Sequence, residues 1–377
     1  MTAATVEDHF SRKAYCVLGV PVDETNMAGV VSRVHRSVAE SSPLFLSTPN
    51  LNFLTLSQRD SAFRRSLLES DLCSADGAGV LLICRLLRIP ITSRVAGADL
   101  PEALQATHVP AGKALRIAFL GGEPGVGERA REAINAGDTS RMVCVAAIDP
   151  GVVTQETMGD PTIVERINAA DADFLIVALG AQKGQAWLMA NRHKLTVPVV
   201  SHLGATLNYV AGTVKRAPKI MQKLGLEWLW RIWEEPRLAS RYLSDGGRLI
   251  WILTTRILPL GLWLRWPRAS EASDGNGVWF DLDNPEYCTI TIAGIVRDEQ
   301  LAPMLEAFRS AVQSGRNVQL DFHRLKFFRM GFAGQVLMLE KTLQRQNRSL
   351  TITGAPPSVA RALGWCGLGY LKAERTR

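Results

Sequence analysis

A mostly parallel α/β sheet with helices on both faces is the fold class the sequence predicts, and three observations predict it. Short apolar runs recur: PLFLS from Pro43, LRIAFL at Leu115–Leu120, FLIVALG at Phe174–Gly180 and LTVPVVS at Leu195–Ser201. Each opens into a loop of glycine or small polar residues and then into a helix-period pattern, and parallel strands need such crossovers. The same alternation restarts on a smaller scale after PRASEASDGNG, a Ser/Gly/Asp-rich linker at 267–277.

The overall balance is that of a globular protein: 377 residues, 47% hydrophobic and 21% charged, enough for two or three cored domains. A net charge of +7 points to anionic partners. Phosphorylated substrates and acidic lipid both qualify, and nucleic acid lacks any accompanying motif. The six cysteines (Cys16, Cys73, Cys84, Cys144, Cys288, Cys366) form no close pair, which argues against a zinc site and a disulfide framework and fits a reduced, cytoplasmic setting. MTAATVEDHFSRK carries no apolar core of a secretory signal. The longest apolar run, Leu249–Trp266, falls short of the roughly 20 residues of a spanning helix and holds Arg256 and Pro259 at its centre. It is expected to lie on a membrane surface, with a buried amphipathic helix and a single span as the alternatives.

Along the chain, AYCVLGVPV (14–22) reads as a strand, and Asp23 and Thr25 as caps of the helix through Val31 and Val34. After PLFLS, Thr48 and Asn50 stand where a strand hands over to a helix, either lining a site or capping the helix that begins near Leu54. DLCSADGAGV sets Asp76 ahead of Gly77 and Gly79, where its carboxylate serves a turn, an N-cap or a cleft. RVAGADL places Arg94 and Asp99 around a glycine turn.

Gly121 and Gly122 open GGEPGVGERA, a glycine turn entering a helix, whose backbone N–H groups suit a diphosphate. The spacing is not G-x-G-x-x-G and no acidic residue follows at the dinucleotide distance. That argues against a nicotinamide cofactor and leaves a nucleotide-sugar diphosphate open. Asp171 and Asp173 form a D-x-D, but they precede the strand FLIVALG instead of following one, and read as a helix-to-strand connection. The chain has no H-E-x-x-H, no G-x-S-x-G and no P-loop.

The stretch Gly212–Leu243 mixes Lys215, Arg216, Arg231, Arg237 and Arg241 with Trp228, Trp230 and Trp233. Arginine forks suit phosphate oxygens and tryptophan suits the water–lipid boundary, whereas a solvated basic helix is the plainer reading. Beyond the linker, YCTITIAGIV, NVQLDF and SLTITG read as strands alternating with three helices, about the size of an independent domain.

Taken in order, STPNLNFL, DLCSADGAGV, RVAGADL, FLGGEPGVGERA, FLIVALGAQKGQAW and VKRAPKIMQKLGLEWLWRIWEEPRLASRYL resemble the successive motifs of the WecG/TagA/CpsF glycosyltransferases, glycosyltransferase family 26, over about residues 14–245. The resemblance implies a Rossmann-like core. It also implies transfer of N-acetylmannosamine, or a related hexose or uronate, from a UDP-sugar to a polyprenyl-diphosphate-linked acceptor, with inversion, no metal and no cofactor. Asp76 matches the family's proposed general base, Thr48 and Asn50 match residues lining the same pocket, and Gln185, Arg94 and Asp99 match further motif positions. Arg216, Arg231, Arg237 and Arg241 match an appendage that closes over the UDP diphosphate and takes the enzyme to the membrane. Departures are Gln182 and Gln185-Ala186 where the family has Pro and Gln-Glu, and DPGVV near residue 150.

The last segment resembles a STAS domain. It has no hydroxyl residue from Met330 to Gln335, where signalling members are phosphorylated, so a module for docking a protein partner is expected. The expected division is a catalytic core at 1–211, a basic-aromatic appendage at 212–266, the linker at 267–277 and the STAS-like domain at 278–377. The protein is expected to be cytoplasmic, peripheral on the inner face of the cell membrane. The alternative is a non-catalytic, membrane-associated scaffold, motivated by the missing loop glutamate.

Overall fold

The computed structural model describes residues 8–107, 113–151, 153–154, 157–218, 220–221, 227–234, 239–265, 277–282 and 284–372, without the side chains of Trp228, Arg231 and 239–245. The chain packs as two units: Thr25–Leu82 with Ile91–Arg248, and Met1–Glu24 with Ile83–Pro90 and Leu249–Arg377.

AYCVLGVPV, expected as one strand, folds as a hairpin of β1 (Ala14–Val17) and β2 (Val20–Asp23). Leu18 and Gly19 both take positive φ, 54° and 77°, the twist a two-residue hairpin turn requires. Asp23 is bonded to Arg12 at 2.8 Å instead of capping, and Asn26 caps the helix α1 (Met27–Ala39) by accepting from Gly29 N–H.

The first unit is built on six parallel strands, β3 (Leu44–Ser47), β4 (Leu72–Cys73), β5 (Leu115–Gly121), β6 (Met142–Ile148), β7 (Phe174–Ala178) and β8 (Val199–His202), in the order β4-β3-β8-β7-β5-β6. Around them run α2 (Leu51–Ser57), α3 (Ser61–Glu69), the start of α4 (Ala78–Leu86), whose residues from Ile83 belong to the other unit, α5 (Leu100–Ala106), α6 (Val126–Asn135), α7 (Pro161–Ala169), α8 (Ala181–Asn191) and α9 (Thr206–Val210). Along β5, Ile117 and Phe119 join the core that holds Val30, Val34 and Leu46, while Ala118 and Leu120 join the core that holds Phe45, Val177 and Trp187. Both sheet faces are thus covered, which is why its strands read as continuous apolar runs. Asp173 accepts from Arg116 N–H at 2.8 Å and Asp171 turns with φ 50°, so the D-x-D is the connection the sequence indicates.

The second unit holds β9 (Gly277–Asp281), β10 (Tyr287–Val296), β11 (Asn317–Asp321), β12 (Leu325–Phe328) and β13 (Leu350–Thr353). The order β12-β10-β11-β13 is parallel, with β9 antiparallel on β10. The short strands β9 and β12 escaped the sequence reading. Helix Met330–Arg345 is buried continuously from Met330 to Leu343, Glu340 and Lys341 included. The N-terminal hairpin lies on it: Gln335 Nε2 donates to Arg12 O at 2.8 Å, Gly334 leaves no room for a β-carbon beside Ala14 O, and Cys16 Sγ meets Cys366 O at 3.3 Å.

The run after Leu249 is helical through Arg265, with a π-turn at Leu253–Ile257. The widened turn ends just before Pro259, whose ring nitrogen has no hydrogen to donate. Ile257, Leu260 and Leu264 are buried, whereas Ile250, Trp251, Leu258 and Leu262 are exposed. By length and hydropathy Gly246–Arg265 suffices to cross a membrane. One of its faces, however, is sealed against protein, with Trp263 stacked on Phe327 at 4.6 Å.

Candidate active site

The carboxyl ends of β3 and β4 are stitched together by backbone bonds. Asp76 N–H donates to Pro49 O at 3.0 Å, Ser74 N–H to Ser47 O at 3.0 Å and Val95 N–H to Ala75 O at 2.9 Å. These bonds bring the Thr48, Asp76 and Arg94 segments to one rim, where open α/β sheets bind ligands. Thr48 is buried, and a β-carbon on Gly97 would approach its Oγ1 at 3.0 Å, so glycine is what lets the two segments close.

Asp76 keeps some surface, but its carboxyl is enclosed, and that burial pushes it up to about 7. Arg94, Arg216 and the Gly97 N–H pull it back down, and Glu227 pushes it up. Near neutrality the group therefore exchanges a proton readily, as a general base must. Arg94 Nη1 meets Glu227 Oε2 at 3.0 Å and its Nη2 meets Asp99 Oδ2 at 3.5 Å. Asp99 also pairs with Arg216, whose guanidinium lies over the Tyr209 ring at 4.7 Å. Trp230 Nε1 donates to Lys215 O at 3.1 Å, and Trp230 packs edge-on against Trp233 at 5.1 Å, which seats helix Glu227–Glu234 beside these arginines.

The other expected residues make the following contacts. Asn50 caps α2, accepting from Phe53 N–H at 3.1 Å, so the helix starts at Leu51 and Asn50 is its cap. Gln185 is fully buried and donates to Ser47 Oγ at 3.0 Å, which in turn shares a hydrogen with Ser70 Oγ at 2.7 Å. Gly121 ends β5 and Gly122 follows it, with φ of 95° and 97°, and Gly122 N–H donates to Ala178 O at 2.9 Å. The helix they lead into, α6, has Gly125 at its N-cap and no side-chain capping bond, and its Val126 N–H donates to Glu123 O at 3.0 Å. Arg237 lies outside the described residues, as do the side chains of Arg231 and Arg241.

Two residues escaped the sequence reading. Glu227 stands in GLEWLW, where the basic and aromatic neighbours carry the stronger signal. His202 ends β8 with both ring nitrogens lacking a hydrogen-bond partner among the described residues, and burial pushes it down to about 4, so it is neutral. A wide-mouthed hollow of about 440 Å³, lined by Glu128, Arg131, Ile148 and Arg166, sits at β6, the opposite edge of the sheet from β4. It holds none of the candidate residues. Among the described residues, no group of His, Cys, Asp or Glu is arranged to hold a metal ion.

Fold and rim together define a parallel α/β protein with a proton-exchanging carboxyl set among arginines, an arrangement for group transfer on anionic substrates. The chain belongs to the WecG/TagA/CpsF glycosyl transferase family, whose model matches residues 15–260. A STAS-domain model, described as Mlab, STAS domain, matches residues 282–372. The N-acetylglucosaminyldiphosphoundecaprenol N-acetyl-beta-D-mannosaminyltransferase of Staphylococcus aureus (strain MRSA252) is 30% identical over 231 residues, 60% of this chain and 87% of that one. The transferase of the same name from strain NCTC 8325 / PS 47 is 29% identical over the same shares. Among solved structures, the anti-sigma factor antagonist SpoIIAA in its unphosphorylated form aligns over 27% of this chain and 90% of that one, with 18% identity and a TM-score of 0.25.

Proposed function

We propose that this protein transfers a sugar, N-acetylmannosamine or a related hexose or uronate, from a UDP-sugar to a polyprenyl-diphosphate-linked sugar acceptor, inverting the anomeric centre without a metal ion. The enclosed Asp76 carboxyl beside Arg94 and Arg216 carries this reading. Asp76 takes the proton of the acceptor hydroxyl as that oxygen attacks the anomeric carbon. The bond to UDP breaks, and the negative charge gathering on the diphosphate is met by Arg216 and the further arginines of the basic-aromatic stretch. Thr48, at the same rim, orients the sugar, and the N–H groups ahead of α6 add a second place for phosphate oxygens.

A lipid-linked acceptor requires a membrane surface, and the exposed Ile250, Trp251, Leu258 and Leu262 supply an apolar stripe for it. A helix sealed on one side by protein lies in the interface, so the association is peripheral, on the cytoplasmic side. The STAS-like domain docks a regulatory protein.

The test is a donor screen with purified protein and a synthetic polyprenyl-diphospho-sugar, read by UDP release. Acceptor-dependent release that persists in EDTA is the expected result, and a strict need for manganese would overturn the metal-free step. Folded protein that binds no UDP by calorimetry would favour a non-catalytic scaffold instead.

A further inference from the structure

We infer that Glu227 is a positioning residue for the transfer step: from the basic-aromatic stretch it grips Arg94 and balances that cation's charge beside Asp76. This deepens the proposed function and rests on it for the meaning of Asp76.

Glu227 opens helix Glu227–Glu234, where the helix dipole favours a carboxylate. It holds Arg94 at 3.0 Å while Asp99 holds the other fork of the same guanidinium at 3.5 Å. Asp99 in turn takes Arg216. Two cations are thus met by two carboxylates, and all four side chains are partly buried, so their fields are only partly screened. The charged groups acting on Asp76 are Arg94, Arg216 and Glu227, together with the Gly97 N–H.

An unbalanced guanidinium beside a carboxylate keeps it ionised, and a carboxylate so stabilised is a feeble base. With Glu227 on Arg94, the cation still orients the site without stripping Asp76 of its basicity. The stretch that carries the phosphate-binding arginines therefore also sets the proton affinity of the base, and its seating and the chemistry are coupled through one ion pair.

The experiment uses the full chain with Glu227→Gln and Glu227→Asp. The Asp76 carboxyl is titrated by infrared difference spectroscopy, with Asp76→Asn as the reference that identifies its band. The midpoint is expected to move to lower pH in Glu227→Gln and to stay near wild type in Glu227→Asp, which keeps the charge. An unmoved midpoint in Glu227→Gln, or a Glu227→Asp midpoint as low as that of Glu227→Gln, overturns the inference. In turnover with UDP-N-acetylmannosamine and a synthetic polyprenyl-diphospho-sugar, the acid limb of kcat/KM moves to lower pH in Glu227→Gln and stays near wild type in Glu227→Asp.

If Glu227→Gln does not fold, Arg94→Gln gives the converse: its Asp76 midpoint rises, and a midpoint that does not rise overturns the inference. Wild-type protein without acceptor-dependent turnover would sink the transferase reading alone, because the infrared titration still decides the role of Glu227.

Discussion

Arg216 forms an ion pair with Asp99 although four of the six strands of the parallel sheet, β5 to β8, lie between them in the chain, and its guanidinium also covers the Tyr209 ring. Asp99 presents this arginine, already oriented, to the rim that holds Asp76. Arg216→Ala is therefore expected to lower kcat by about 100-fold and weaken UDP binding, with circular dichroism unchanged. Arg216→Lys should recover only part of the loss, because an ammonium lacks the planar fork. Steady-state UDP release and calorimetry check both.

Asp76→Asn should cost roughly 10²–10⁴-fold in kcat. The wild-type rate should rise through about pH 7 as Asp76 ionises. Stability carries the opposite sign. A carboxyl raised from 3.8 to about 7 is disfavoured when ionised in the fold, so stability present at low pH is lost as pH climbs between those values. Asp76→Asn escapes that loss. It should melt about 2–5 °C above wild type at pH 8 and converge with it near the lower value, as scanning calorimetry would show.

Gly121 takes φ 95°, and a β-carbon there would sit 2.6 Å from Leu179 Cδ2 and 2.8 Å from Ala178 O. Gly121→Ala is expected to destabilise the first unit by about 1–3 kcal/mol, through the strained backbone and the clash together. Urea unfolding measures it, and a change within error would mean the turn relaxes freely.

The exposed stripe on the helix ending at Arg265 gives a surface test. Trp251→Ser with Leu262→Asp should reduce flotation with anionic vesicles several-fold and leave the melting temperature unaltered, since both side chains already face outward. Undiminished flotation would place the membrane contact elsewhere.

Gly334 admits no β-carbon beside Ala14 O. Gly334→Val should lift the N-terminal hairpin, and Cys16, buried in wild type, should then react with a thiol reagent much faster. Continued protection of Cys16 would show that the hairpin accommodates the added side chain.

Much of this fold was legible because its signals are local. Runs such as FLIVALG announce strands covered on both faces, and the position of Asp171 and Asp173 ahead of β7 identifies them as a connection. For Asn50 the sequence left two readings, and the structure shows the capping one: its side chain accepts from Phe53 N–H. Gln185 matched a family motif, but motif spacing carries no information about depth, and the side chain lies fully buried against Ser47. His202 offered no signal, since one histidine after an apolar strand looks the same whether or not its nitrogens find partners.

The sequence by itself determined the parallel α/β class, the family motifs and the carboxylate and arginines that belong to them, because propensity, periodicity and motif spacing act over short spans. Tertiary structure alone decided that β1 and β2 cover a helix more than three hundred residues away, and that Glu227 closes on Arg94 next to Asp76. Those pairings depend on which surfaces meet once the chain has collapsed. Burial and Coulomb energies at such contacts follow distance in space, and residue order does not encode it.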